Sequence, residues 1–366
     1  MIKVAFLVSG GRKSPMAYRA RAFAERLRER CEIQIAYREG NKIIASLRFW
    51  NFLRRLRPNL TYVFDISYSA VLGAWLHRLF NRDVVLIVET GDAIYELMRS
   101  SGNRGRVGLW LTRWLEEFSL RTANRVVVRG SFHQTSLAQQ GISADVLPDG
   151  VDTAQFRRED ANELRKRHGV SGELTIGLVG SSVWSEKLQM CYGWELVELL
   201  RLLKNEPVKG IMIGDGSGIA RLQARCRDYG IEEKMVFVGR VDYEELPSYL
   251  GMIDVCLSTQ TNDIVGRVRT TGKLPLYLAA GRFILASKVG EAELVLEPEM
   301  LVEYEGVRDQ DYPRKLKERI KVLLDHPEKL ERSVRNMRLA RENFDYEILA
   351  KRLSGVIQTA GSARTI

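Results

Sequence analysis

Short runs of β-branched and other apolar residues recur along the chain, each followed by a longer stretch with helical periodicity. In the first half the runs are VAFLV (4–8), EIQIAY (32–37), LTYVF (60–64), VVLIV (84–88), RVVV (125–128) and ADVL (144–147). The spacing between them predicts helices such as 17–30, 43–56 and 131–140. In the second half LTIGLVG (174–180), VKGIMIG (208–214), MVFVG (235–239), DVCLST (254–259) and RFILAS (282–287) read as strands, with helices over 314–325 and 328–343. Strands apolar at nearly every position belong to parallel sheets covered on both faces. The pattern therefore predicts an α/β protein of two doubly wound domains.

The turn-rich stretch PDGVDTAQF (148–156) marks the junction. The expectation is two tandem Rossmann-like domains facing a central cleft, 1–152 and 153–344, with a C-terminal helix (345–366) returning to the first. Open parallel sheets take ligands beyond the carboxyl ends of their strands, so two such sheets suit a reaction that joins two substrates.

Charge sharpens this picture. The chain has 366 residues and a formal charge of +10, with 45% hydrophobic residues, which excludes a disordered chain. Residues 1–170 carry 28 Lys+Arg against 17 Asp+Glu, and the remainder 28 against 29. A basic first half faces something anionic: nucleic acid, an anionic lipid surface or a phosphorylated substrate. No nucleic-acid module is recognisable, and the arginines are scattered through predicted helices. The cysteines at 31, 191, 226 and 256 are far apart, without CxxC spacing, which fits a reducing compartment and neither a zinc ribbon nor a disulfide framework. The opening MIKVAFLVS reads as a strand rather than a leader, and no apolar run nears the ~20 residues of a spanning helix. The expected location is cytosolic, or peripheral on the inner face of a membrane.

Several loops could carry chemistry. Ser9-Gly10-Gly11-Arg12 lies between the first strand and a helix that Pro15 could open, and is either an anion-binding turn or a tight connection. Gly214-Asp215-Gly216-Ser217-Gly218 superficially suggests a nicotinamide fingerprint, yet no acidic residue closes a second strand at the expected spacing, so a helix-capping turn reads as well. Lys187, after Gly180-Ser181-Ser182, is either a solvated lysine or a partner for a diphosphate. Gly266-Arg267-Val268-Arg269-Thr270-Thr271-Gly272-Lys273 combines cations, hydroxyls and glycines before a helix, a composition that favours anion binding. Asp309-Gln310-Asp311 reads as a helix-capping turn. No pair of histidines sits at metal-ligand spacing, and no GxSxG or GxxxxGK[ST] segment occurs.

Taken in order, VLPDGVDTAQF (146–156), LTIGLVG…EK (174–187), IMIGDGSGIARL (211–222), VFVGRVDYEELPSYLGMIDVCLST (236–259) and GKLPLYLAAGRFILAS (272–287) resemble the retaining family 4 group of the GT-B glycosyltransferases. The resemblance runs along nearly the whole chain. It implies a metal-independent transfer of a sugar from a nucleotide-diphosphate donor to a glycan or lipid-linked acceptor, with no cofactor beyond a UDP- or GDP-linked donor. By similarity, Lys187 contacts the diphosphate, with Gly180 and Ser181 in the same turn. The Thr270–Gly272 backbone cradles its oxygens beside Arg267, Arg269 and Lys273. The main chain of Gly239, Arg240 and Val241 faces the base, and Gly10, Gly11 and Arg12 close over the phosphates. Lys187, Arg12 and Asp92 are the candidate catalytic residues. Departures from the family pattern are Ser181 for an arginine, Leu276 for the glutamate that holds the donor ribose, Val268 for a second glutamate, and Thr90 for a histidine. These leave an alternative open: a catalytically degenerate GT-B protein that binds a nucleotide or glycan as partner of an active enzyme.

One helix stands apart. Over 106–121, Val107, Trp110, Leu111, Trp114 and Phe118 form one apolar stripe, accompanied by Arg104, Arg106 and Arg113 and diluted by Glu116 and Glu117. It either packs on its own sheet or rests on anionic lipid to meet a lipid-linked acceptor.

Overall fold

The computed structural model describes residues 1–362 apart from 67, 103, 157–160 and 332. The chain divides into two compact units. The first is Met1–Gly150 with Val268–Thr270 and the segment from Phe344 onward; the second is Val151–Arg267 with Thr271–Asn343.

The first unit is a six-stranded sheet of β1 (Ile2–Val8), β2 (Cys31–Tyr37), β3 (Leu60–Phe64), β4 (Val85–Thr90), β5 (Arg125–Val128) and β6 (Ala144–Val146), ordered β2-β1-β3-β4-β5-β6. Every pairing is parallel. Both faces are covered, and alternation along β1 shows how. Val4, Phe6 and Val8 join Phe23, Phe64 and the C-terminal helix residues Leu349, Leu353 and Ile357, while Ala5 and Leu7 join Phe49, Leu53, Val63 and Leu86 on the other side. A strand whose successive side chains enter two different cores reads as one continuous apolar run.

That C-terminal helix, Tyr346–Ser362, lies against the helix Pro15–Leu27. Tyr346 stacks edge-on to Phe23 at 5.4 Å between ring centroids, and a side chain at Gly150 would run into its ring.

The second unit repeats the architecture with β7 (Leu174–Val179), β8 (Val208–Ile213), β9 (Met235–Gly239), β10 (Val255–Ser258), β11 (Phe283–Ser287) and β12 (Leu301–Val302), ordered β12-β11-β10-β7-β8-β9 and all parallel. Both sheets are the doubly wound α/β type that the apolar runs predict. The two-residue strand β12 is too short to leave a periodic signal. The helix expected over 328–343 is broken: a 3-10 turn spans Pro327–Leu330, Glu331 leaves helical geometry at ψ 68°, and the α-helix is Ser333–Asn343.

Candidate active site

In an open doubly wound sheet the strand order reverses at one point, and ligands bind beyond the carboxyl ends of the strands there. The reversal falls between β1 and β3 in the first unit and between β7 and β10 in the second.

At the end of β7 the chain turns through Gly180, whose φ of +154° suits glycine. A side chain on Gly214 would collide with the Gly180 carbonyl, and one on Gly216 with the Ser182 backbone. Ser182 N–H donates to the Asp215 carbonyl and Gly218 N–H to the Ser182 carbonyl, both at 2.8 Å. The GDGSG glycines thus serve close packing of two backbones, and the turn leads into the helix Ile219–Tyr229. Gly239, at φ +85°, accepts from Gly214 N–H at 2.7 Å.

Above Gly180 lies Lys273. Its ammonium sits 3.4 Å from the centroid of the Tyr192 ring, and a Cβ on Gly180 would stand 2.9 Å from its Cε. Tyr192 hydroxyl donates to the Leu257 carbonyl on β10 at 3.1 Å, and Val179 N–H donates to the Tyr277 hydroxyl at 2.8 Å. Glu195 is buried beside this group and accepts from Gly193 N–H at 3.1 Å. Burial pushes its carboxyl up against the opposing pull of Thr259 and the Lys273 charge.

The other expected donor-side residues scatter around this point. Lys187 and Ser181 are exposed, Lys187 in a loop closed by the Ser185–Met190 bridge. Arg240 pairs with Asp215 at 3.0 Å on the surface, and Val241 follows it half-buried. Arg267 donates to Asn262 Oδ1 at 2.9 Å. Thr271 and Gly272 are half-buried ahead of the short helix Lys273–Ala279. Leu276 and Val268, which stand where the resemblance places carboxylates, are buried apolar residues.

In the first unit Ser14 caps the helix Pro15–Leu27 by accepting from Ala17 N–H at 3.2 Å, and a side chain at Gly10 would strike Ser14. Gly10 is therefore required by the cap, whereas Gly11 faces open space. Arg12 is exposed, its guanidinium 5.0 Å from the Tyr37 ring centroid. Arg269 Nε contacts Asp92 Oδ1 at 2.7 Å, and Thr270 hydroxyl donates to Asp149 at 3.4 Å, all within this unit.

Motif reading missed the most heavily charged interior of the molecule. Glu89, fully buried near the end of β4, is ion-paired with Arg19 at 3.0 Å and accepts from Arg129 Nε at 3.0 Å and the Tyr62 hydroxyl at 2.7 Å. Arg129 also faces Asp65 at 3.5 Å and Asp149 at 3.7 Å, and Arg19 donates to the Pro148 and Leu147 carbonyls. Burial alone would raise the Glu89 carboxyl, but Arg19 and Arg129 hold it below the usual carboxylate range. Asp65 is pushed up by burial despite Arg129. Burial lowers the neighbouring His133 to about 4, with Asp92 pulling the other way. A glutamate interrupting the apolar run VVLIVE, and an arginine on the inward face of the first helix, were the available signals.

On the helix Arg106–Thr122 most of the apolar stripe points away from the sheet. Val107, Trp110 and Trp114 are 80%, 66% and 50% exposed, and Leu111 is exposed too; the half-buried Phe118 sits against Trp75. Glu116 does not dilute the outer face: it turns inward and accepts from Ile94 and Tyr95 N–H at 2.6 and 2.8 Å.

Comparison with known proteins places this architecture. The chain is similar to the Anabaena protein HepE solved with UDP-glucose (TM-score 0.76, 16% identity, 98% of this chain and 100% of that one). It is also similar to sucrose-phosphate synthase from Thermosynechococcus elongatus (TM-score 0.77, 15% identity, 99% and 100%). Residues 194–339 match the family described as Glycosyl transferases group 1. The chain has the two-domain GT-B fold of these structures. The chain is 23% identical, over 59% of its length and 51% of the other's, to alpha-monoglucosyldiacylglycerol synthase of Streptococcus pneumoniae. The chain spans about half the length of the curated relatives it matches. Among the described residues no group of three or more His, Cys, Asp or Glu is placed to hold a metal ion, and no helix is long and apolar enough to cross a membrane.

Proposed function

We propose that this chain is a retaining, metal-independent glycosyltransferase that moves a sugar from a UDP- or GDP-linked donor to a glycan or lipid-linked acceptor. The observation that carries the reading is the group 1 match over 194–339, which apart from 268–270 lies in the unit whose β7–β10 edge combines glycine turns with Lys273. The Anabaena structure with UDP-glucose supports a nucleotide-sugar donor, and the glycolipid synthase of Streptococcus pneumoniae supports a lipid-linked acceptor. In the reaction the bond from the anomeric carbon to the diphosphate oxygen breaks as the acceptor oxygen forms the new one on the same face. The acceptor proton passes to the leaving diphosphate. The protein contributes by positioning both substrates and stabilising the charge that develops on that diphosphate. Lys187, Arg12, the 267–273 loop and the Gly239–Val241 main chain are the groups assigned to the donor, and Asp92 to the reacting centre.

The test is turnover. Purified protein is incubated with UDP- and GDP-linked hexoses and glycolipid or glycan acceptors, and product is read by mass spectrometry, with NMR giving the anomer. Transfer with retention is expected. Binding of nucleotide without transfer to any acceptor, or transfer with inversion, overturns the reading.

The same proposal places the helix Arg106–Thr122 on an anionic membrane. Its exposed tryptophans stand among Arg104, Arg106 and Arg113, and Ile43, Ile44 and Leu47 of the helix Lys42–Leu56 are also exposed. Lys42 lies 5.8 Å from the Tyr68 ring, whose hydroxyl also feels the Arg104 charge, so the two helix starts are neighbours. Amphipathic helices with basic residues and tryptophan bind anionic interfaces by this combination. Flotation with phosphatidylglycerol vesicles at low salt is expected, with loss as salt rises and in Trp110→Ala/Trp114→Ala. Equal behaviour with phosphatidylcholine vesicles sinks the lipid surface and favours a soluble acceptor.

A further inference from the structure

A cavity of about 290 Å³ opens on the second unit, walled by the helix Trp194–Leu202 and by the start of the helix Tyr312–Asp325 with the loop before it. It has room for about ten waters and approaches the lower bound of small-molecule sites. Arg201, Arg308 and Arg314 line it, together with the carboxylates of Glu198 and Asp311 and the buried Trp194. Arg308 is held by a carbonyl and an aromatic face: Nη1 donates to the Leu188 carbonyl at 3.2 Å, and the guanidinium lies 5.3 Å from the Trp194 ring centroid. Its Nε is buried without a hydrogen-bond partner. Both carboxylates already have cations. Glu198 accepts from Arg201 Nε at 3.1 Å and the Tyr229 hydroxyl at 2.8 Å and pairs with Arg225 at 3.4 Å, while Asp311 pairs with Arg314 at 3.1 Å. None of the lining residues is among those assigned to the donor, although Leu188 follows Lys187 in the same loop.

We propose that this cavity binds a phosphate dianion, free or carried as the monoester of a small metabolite, at a site separate from the donor's. Guanidinium forks match phosphate oxygens with paired N–H bonds, and three of them converge here. Arg201 and Arg314 sit in exposed pairs with carboxylates three residues away, and such pairs are weak enough to be exchanged for a doubly charged partner. The lining carries three positive charges against two negative, and Glu198 is shared with Arg225 outside it. One wall is the start of a helix, the end whose dipole favours an anion. Through the Leu188 carbonyl, Arg308 ties the site to the loop that carries Lys187.

Isothermal calorimetry on the full chain at low ionic strength uses inorganic phosphate, glucose 6-phosphate, glucose and UDP. Saturable binding of phosphate and of glucose 6-phosphate is expected, and none of glucose. Tighter binding of glucose 6-phosphate assigns the site to a monoester; equal binding assigns it to free phosphate. Arg308→Gln is expected to weaken both by about 10- to 100-fold, as for a charge-assisted contact. Arg201→Gln and Arg314→Gln, both at exposed side chains, should cost about 3-fold each. Thermal melts confirm that each variant is folded, and the two exposed substitutions carry the test if Arg308→Gln, which loses the Leu188 contact, does not fold. Wild-type affinity for phosphate in the folded variants overturns the proposal, as does a wild type that binds neither phosphate nor glucose 6-phosphate. If UDP displaces bound glucose 6-phosphate one for one, the cavity is an arm of the donor site and the separate site falls. If the wild type binds phosphate in an Arg308-dependent way but does not bind UDP, this site stands while the donor reading loses its support.

Discussion

At the ends of β3, β4 and β5 the first unit buries Arg19, Glu89 and Arg129 against one another beside the half-buried Asp65, whereas beyond β7 and β10 the second unit carries glycines and a lysine laid on a tyrosine ring. The two regions occupy equivalent ends of similar sheets, yet they treat charge differently. In the first, each buried ion is answered by an opposite one, so the group resists rearrangement and the loss of any member is expensive. In the second, glycines bring two backbones into contact and Lys273 lies over the Tyr192 ring. Equivalent ends of one architecture can thus be built on a buried network of ions or on backbones packed closely through glycines.

The largest expected effect breaks the first region. Glu89→Gln keeps an acceptor for Tyr62 but leaves Arg19 and Arg129 without their central counter-charge, and should destabilise the protein by ~3–5 kcal/mol in urea unfolding. Lys273→Met, in the second region, should cost less than ~1 kcal/mol in the same measurement. Similar losses in both would erase the contrast.

A somewhat smaller effect comes from pH. His133 titrates from 6.5 when unfolded to about 4 when folded, so the folded state binds fewer protons between those values. Its contribution is complete above pH 6.5 and is lost as pH falls towards 4, amounting to ~3 kcal/mol if nothing else compensates. Glu89, held below its ordinary value by Arg19 and Arg129, adds in the same direction at lower pH. Replacing His133 by Leu should flatten the stability profile between pH 4 and 6.5; an unchanged slope there assigns the acid sensitivity to other groups.

The smallest effect sharpens the second region. Leu276→Glu restores a carboxylate where the resemblance expects one, but inserts it at a buried position. Stability should fall by ~1–3 kcal/mol from the buried charge. Affinity for a ribose-bearing donor should rise by ~1 kcal/mol if the sugar ring lies there. A folded variant without that gain means that the nucleotide ribose is held elsewhere.

By itself the sequence determined the alternation of strands and helices, because an apolar run and a helical period are local properties that survive any rearrangement of distant parts. LTYVF and RVVV became β3 and β5 with the boundaries their composition predicts. The helix 328–343 misled because its periodicity continues across the 3-10 turn, where backbone geometry rather than pattern ends the element. The tertiary structure alone decided which charges meet. Glu89 lies far along the chain from both Arg19 and Arg129, and Lys273 from Gly180 and Tyr192, so no spacing rule links them. It also decided that Trp110 and Trp114 face outward while Glu116 turns in, since a stripe on a helix wheel specifies a face but not what that face will meet. The physical reason is common to both cases: burial and ion pairing depend on separations through space, and those are set only once the parallel strands bring distant segments to one edge of a sheet.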